Sequence, residues 1–235
     1  MDAASLLANI HAAVPLIAPS LLACDFASLG REVGSVEQAG ARILHLDVMD
    51  GHFVPNLSIG VPIVKAVRRV TDLPLDVHLM ISEPARYVKP FREAGADLLT
   101  FHVEAVADPV PLLREIRRTG ALAGIAISPP TPVSALERCL GECDLILVMT
   151  VMPGFGGQEL RPEGLDKLQW LSTRAAAGTL LSVDGGVNGE TIAPCAAAGA
   201  RMFVVGTGLF GYPDYRERLA KLRKTALSAL GERVS

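Results

Sequence analysis

Two histidines and two aspartates stand where their side chains can converge. His45 and Asp47 lie two apart in His45-Leu46-Asp47-Val48-Met49-Asp50-Gly51, His78 falls in Asp76-Val77-His78-Leu79-Met80, and Asp184 in Ser182-Val183-Asp184-Gly185-Gly186. Each run reads as the end of a β-strand, where residues two apart share a face, so His45 and Asp47 point one way while Leu46 and Val48 point the other. Two imidazoles and two carboxylates form a mixed nitrogen and oxygen donor set, which suits one divalent ion, Zn, Fe, Mn or Co. A lone histidine at a strand end is commonly a hydrogen-bonded structural group, but matched donors at three strand ends favour a metal site. His11 and His52 are expected to face water. His102, between Phe101 and Val103, is equally open to a place near the site and to a structural role.

A cation with two acids beside it permits removal of a proton next to a carbonyl, because the metal stabilises the enediolate as its charge develops. With Asp47 and Asp184 on opposite faces of that flat species, one takes the proton and the other returns it from the far side. The product is an epimer. A Schiff-base aldolase would need a lysine on a strand, and Lys65, Lys89, Lys167, Lys221 and Lys224 all fall in helical segments. No Gly-x-Ser-x-Gly nucleophile elbow occurs. A non-catalytic barrel that binds phosphate or metal is a further reading, though it would not require two acids around one ion.

Glycine forms a second cluster. Gly154, Phe155, Gly156 and Gly157 follow one strand, Gly185 and Gly186 another, and Gly206 and Thr207 a third. Such loops let backbone N–H groups approach an anion closely, so they are expected to grip a phosphate, with a short helix possible over Thr207 to Gly211. Tight turning is the plainer use of glycine. Met49, Met80 and Met149 stand beside three of the strand ends, where they either cover the site or pack the core.

These groups need a frame that brings strand ends together. Apolar runs at Leu16 to Ser20, Arg42 to Val48, Leu75 to Leu79, Leu98 to His102, Ala121 to Ile127, Leu145 to Thr150, Leu180 to Asp184 and Met202 to Gly206 alternate with longer amphipathic segments. Near-continuous apolar strands are those covered on both sides, as in parallel sheets. Pro62 suits the first turn of a helix, Asp108 and Thr131 are cap candidates before prolines, and Asn188 before the segment to Gly199. Ala39-Gly40-Ala41, Ala94-Gly95-Ala96 and Ala198-Gly199-Ala200 each read as a helix end leading into a strand. Eight such units predict a single-domain α/β fold, the (β/α)8 TIM barrel, over residues 15–235, with active groups at the C-terminal strand ends. A doubly wound sheet is the rival, but Pro19-Ser20-Leu21-Leu22 is not the Gly-rich turn it needs.

The chain has 235 residues, half of them apolar, and its 22 Lys and Arg against 25 Asp and Glu give a net charge of −3. No cluster of basic residues is present to neutralise a row of phosphates, so nucleic acid is not an expected partner. Four scattered cysteines, Cys24, Cys139, Cys143 and Cys195, suggest reduced thiols in a cytoplasmic protein. No apolar run approaches the roughly 18 residues needed to cross a bilayer, so no membrane partner is expected. Residues 1–14, without Lys or Arg, are unlike a targeting peptide and read as a flexible or docking extension.

Five segments together resemble the ribulose-phosphate 3-epimerase family: Ala18-Pro19-Ser20-Leu21-Leu22, His45-x-Asp47-x-Met49-Asp50-Gly51-x-Phe53-Val54-Pro55-Asn56, Asp76-x-His78-Leu79-Met80, Pro153-Gly154-Phe155-Gly156-Gly157-Gln158 and Val183-Asp184-Gly185-Gly186-Val187. The resemblance runs in order from about Leu16 to Leu230. It implies a TIM barrel that interconverts D-ribulose 5-phosphate and D-xylulose 5-phosphate in carbohydrate metabolism, with a phosphorylated ketose as substrate and assembly into a homo-oligomer. It implies that His45, Asp47, His78 and Asp184 bind the metal, that Asp47 and Asp184 are the acid/base pair, that Ser20 and His78 touch substrate, that Met49, Met80 and Met149 cap the site, and that the Gly-rich loops hold phosphate. Ser182 stands where the family commonly has Glu, Val151-Met152 where it has Asn or Ser-Asn, and Gly206-Thr207-Gly208-Leu209-Phe210 where it has Gly-Ser-Ala-Ile-Phe. The last is a little like the allulose-6-phosphate 3-epimerase branch, so a ketohexose-6-phosphate substrate is the alternative.

Overall fold

A computed structural model describes residues 2–231; Met1 and 232–235, the outer ends of the two expected segments, lie outside the described residues. Eight parallel strands follow one another: β1 Leu16–Pro19, β2 Leu44–Met49, β3 Leu75–Met80, β4 Leu98–His102, β5 Leu122–Ile127, β6 Leu145–Met149, β7 Leu180–Asp184 and β8 Met202–Val205. Each pairs with its sequence neighbour from β2 to β8, and β8 pairs with β1. The ring closes between β1 and β2 at a parallel bridge from Ser20 to His45. The helices are α1 Ala3–Ala12, α2 Leu29–Gln38, α3 Val61–Arg68, α4 Val88–Ala94, α5 Pro109–Arg118, α6 Glu163–Ser172, α7 Ile192–Ala198, α8 Thr207–Phe210 and α9 Tyr215–Gly231.

The strands bury both faces. Leu46, Val48, Val77, Leu79, Ile125, Ile146 and Val183 pack outward against the helices, with Val33, Val64, Leu113 and Leu168 among their partners in one core cluster. Inward residues such as Leu98, Leu122, Leu145, Leu180 and Met202 form a second cluster, which Leu6 and Ile10 of α1 join. These inward residues lie at the starts of their strands, so α1 closes the bottom of the barrel. Asp2 caps that helix by accepting from Ser5 N at 2.8 Å. Ile10 is 4% exposed. Ile10→Ala is expected to destabilise the protein by about 2–4 kcal/mol, read as a lowered urea midpoint with an unchanged slope.

Gly40, Gly95 and Gly199 adopt φ of 104°, 111° and 124°, so the three repeated helix ends leave the helix through the conformation that favours glycine. Pro62 sits in the first turn of α3, and Asp108 caps α5 by accepting from Val110 N. Two expected caps are corrected. The segment after Thr131 is a 3₁₀ helix, Val133–Cys139, whose buried Leu136 and Cys139 recur every three residues, and Thr131 gives its hydroxyl to Glu104. Asn188 accepts from Glu190 N and Thr191 N and so builds the turn before α7, whose first residue is Ile192. Among the described residues no helix is long and apolar enough to cross a membrane.

Candidate active site

Register explains why the donors meet. Asp47 on β2 is level with His78 on β3, and Asp184 on β7 is level with Val204 on β8. Strands β2 and β7 stand three places apart around the ring, so Asp47 and Asp184 reach the axis from well-separated directions. One ligand atom from each of His45, Asp47, His78 and Asp184 lies within 4.8 Å of the other three. His45 Nε2 and His78 Nδ1 are each 3.2 Å from Asp47 Oδ1, and His78 Nδ1 is 4.0 Å from Asp184 Oδ2. Both histidines are fully buried, Asp47 is 4% exposed and Asp184 18%.

Surrounding groups aim these atoms. Ser20 Oγ donates to Asp47 Oδ2 at 2.6 Å, and His45 Nδ1 donates to Asp76 Oδ2 at 2.7 Å. His45 Nε2 has no hydrogen-bond partner although it is buried. A buried polar atom normally has one, so an unpartnered imidazole nitrogen facing two carboxylates and a second imidazole fits a divalent cation.

Electrostatics push the two acids apart. Burial, with the charge of Asp47 beside it, pushes Asp184 up to about 7. Burial alone would also raise Asp47, but the charge of His45 3.2 Å away, joined by His78, overrides it and holds Asp47 well below the usual carboxylate range. Burial alone would lower His45, yet Asp47 and Asp76 raise it well above the ordinary imidazole value. For His78 burial dominates and the shift is downward.

Above the four donors opens a cleft lined by Ser20, Asp47, Met49, Met80, Met149, Gly154, Phe155, Gly156, Gly157, Asp184, Gly185, Gly186, Gly206 and Thr207. All the sequence-derived site residues border it except His45 and His78, which lie beneath. Met49 and Met80 pack with Val54, whereas Met149 belongs to the inner barrel cluster. The loop after β6 is tied on itself by Gln158 Nε2, which donates to Met152 O and Phe155 O, and to the loop after β2 by Asn56 Nδ2, which donates to Gly154 O. Phe155 is 55% exposed. Gly186 has φ +64°, and a Cβ there would come within 2.5 Å of Leu160 N. The expected short helix is α8, beginning at Thr207.

The family model for ribulose-phosphate 3-epimerases matches residues 16–210. The chain belongs to that family. It is 48% identical over 218 residues to the ribulose-phosphate 3-epimerase of Mycobacterium tuberculosis H37Rv, which covers 92% of this chain and 94% of that one. It is 46% identical over 211 residues to the Bacillus subtilis strain 168 protein of the same name, covering 88% and 97%. Among solved structures, KGPDC from Streptococcus mutans superimposes with a TM-score of 0.70 at 12% identity over 92% of this chain and 99% of that one. Orotidine 5'-phosphate decarboxylase from Pyrococcus horikoshii OT3 does so at 0.66 and 14%, over 90% and 99%. Those likenesses speak to the fold alone. The expected family, barrel and epimerase class are thereby borne out.

Three neighbours of the donors were not among the expected site residues. Asp76 was legible only as one of two polar residues on a strand face, because nothing in its spacing says that it sits behind His45. His52 and His11 are exposed as expected. His102 instead is buried, its Nε2 2.9 Å from His78 Nε2, and Glu104 lies on its other side. The only sequence signal for that pair was a strand ending His-x-Glu.

Proposed function

We propose that this family member inverts C3 of D-ribulose 5-phosphate to give D-xylulose 5-phosphate, and the reverse, with Asp47 and Asp184 as the acid/base pair. The convergence of His45, Asp47, His78 and Asp184 on one point under a glycine-lined cleft carries this reading. The relatives at 44–48% identity bear the name of that activity.

His45, Asp47, His78 and Asp184 would hold a divalent cation. When bound it supplies Lewis-acid stabilisation for the negative charge that grows on the sugar oxygens. The chain's own groups do the rest. One carboxylate takes the C3 proton, and the other returns a proton to the opposite face; the reverse reaction swaps their roles. Carboxylates with environments that push them apart suit such paired duties. Ser20 fixes Asp47 by its 2.6 Å hydrogen bond, while the methionines keep water off the reacting carbon. Backbone N–H groups around Gly186, Gly206 and Thr207 would hold the phosphate.

Because Asp184 keeps a proton below about pH 7 in the metal-free protein, a cation must displace that proton, and one from His45. Binding therefore weakens as pH falls. Zn²⁺ or Mn²⁺ affinity measured by calorimetry is expected to be at least about tenfold lower at pH 6 than at pH 8, with protons released to buffer.

Incubation with ribulose 5-phosphate in D₂O tests the reaction itself. Deuterium should appear at C3 of both sugars, and a metal-loaded protein that exchanges none would reject the proposal. A higher kcat/KM for the six-carbon ketose phosphate, assayed on the same preparation, would replace the pentose substrate with the hexose alternative. One added CHOH unit discriminates strongly only where a pocket hydrogen-bonds it.

A further inference from the structure

His45 and His78 present different ring atoms to the same point, and their far nitrogens are held differently. His45 gives its Nδ1 proton to the Asp76 carboxylate and turns its Nε2 to the site. His78 has no carboxylate behind it. Its Nδ1 faces Asp47 and Asp184, and its Nε2 meets His102 Nε2 at 2.9 Å. At that distance one nitrogen donates and the other accepts, so the two rings share a single proton. On the far side, His102 Nδ1 lies 3.1 Å from Glu104 Oε2 and 3.2 Å from Ser128 Oγ.

We infer that Glu104 and His102 are positioning residues that set the ring tautomer of His78, so that His78 Nδ1 offers a lone pair to a divalent cation. The inference rests on the cation reading above. An ionised carboxylate only accepts, so Glu104 holds the His102 proton on Nδ1. His102 Nε2 is then a lone pair that accepts from His78 Nε2–H, and His78 Nδ1 is left bare. The opposite order would place the His78 proton on Nδ1, toward Asp47, and set a bare His102 Nδ1 against the carboxylate. Ser128 Oγ would serve that order at one end and, until a cation takes its place, Asp47 Oδ1 at the other, 3.2 Å from His78 Nδ1. Metal-bound histidines are generally oriented by a partner on the second nitrogen, and here the partner acts through an intervening ring.

Glu104 is itself fixed. Its Oε1 accepts from Ser128 N at 2.8 Å, and Lys167 Nζ pins the loop by donating to the carbonyls of Ser128, Pro129 and Thr131 at 2.7, 2.8 and 2.7 Å. A buried lysine therefore braces the loop against which the carboxylate is held.

Glu104→Gln tests the assignment with little change of shape. The amide oxygen can still accept from Ser128 N, which turns the NH₂ group toward His102 Nδ1 and reverses the proton order. Zn²⁺ or Mn²⁺ alone, titrated into the metal-free protein, is expected to bind about 10–100-fold more weakly than in wild type. Histidine ¹⁵N spectra of the metal-free wild type are expected to show His78 protonated on Nε2, and those of Glu104→Gln on Nδ1. A purely structural role would lower Tm without moving that tautomer. Cation affinity within twofold of wild type together with an unmoved His78 spectrum would overturn the inference. So would a metal-free wild type with its His78 proton on Nδ1, a result that needs no variant to fold. Wild type that binds neither ion would instead sink the cation reading, and the spectra distinguish the two failures.

Discussion

Asp184→Asn is expected to lower kcat by about 10²–10⁴-fold, the usual contribution of a positioned acid or base. The amide keeps the size of the side chain and loses the ability to take a proton from C3. KM should change only a few-fold, because the glycine loops proposed to hold the phosphate do not depend on the carboxylate. The same assay in D₂O separates the two faces. With Asp47 intact, the variant should still wash deuterium slowly into C3 from one side while forming almost no epimer. Saturating cation must be present, since Asp184 is also one of the four donors. An Asp184→Asn protein with normal turnover would reject the two-acid scheme.

Removing the cation is expected to have an effect of similar size. Stabilising charge on a sugar oxygen by a divalent ion is worth several kcal/mol, and each 1.36 kcal/mol is a factor of ten. Chelation should therefore lower kcat by about 10³-fold or more. Zn, Fe, Mn or Co added back should restore it, and elemental analysis of the purified protein would show which is loaded. Circular dichroism should be unchanged by chelation, because the strands are held by ladders and by two large apolar clusters apart from the four donors. Full activity in protein shown to be metal-free would rule out the cation's role.

Much of this barrel was legible before its coordinates, and the reason is local. Leu145 to Met149 and Met202 to Val205 are short, apolar and bounded by turn residues, and a strand buried on both faces must read so. His45 and Asp47 share a face because the strand repeat is two, and β2 carries out that expectation with Leu46 and Val48 in the outer cluster. Ends drifted by a residue or two, as at β2, which begins at Leu44 where Arg42 was expected.

Other features had no local signature. Thr131 before Pro132 has the form of a cap, yet Glu104 takes its hydroxyl, and Glu104 stands there because β4 and β5 are neighbours. Residues 1–14 read only as a flexible or docking extension, and nothing local says that Leu6 and Ile10 of α1 pack on the inward residues at the strand starts. Ser182, read as a departure from the family pattern, is buried with its hydroxyl unpartnered.

Residue type and spacing along single strands were enough to establish which groups face inward, that two acids and two imidazoles share that side, and that eight repeated units carry them. Those properties follow from the backbone repeat, which acts over a few residues. Which donors touch, which nitrogen of each imidazole faces the site and what stands behind it came from strand register and ring closure. Those place Asp76 behind His45 and His102 beside His78, contacts between side chains 31 and 24 residues apart that no nearest-neighbour pattern encodes.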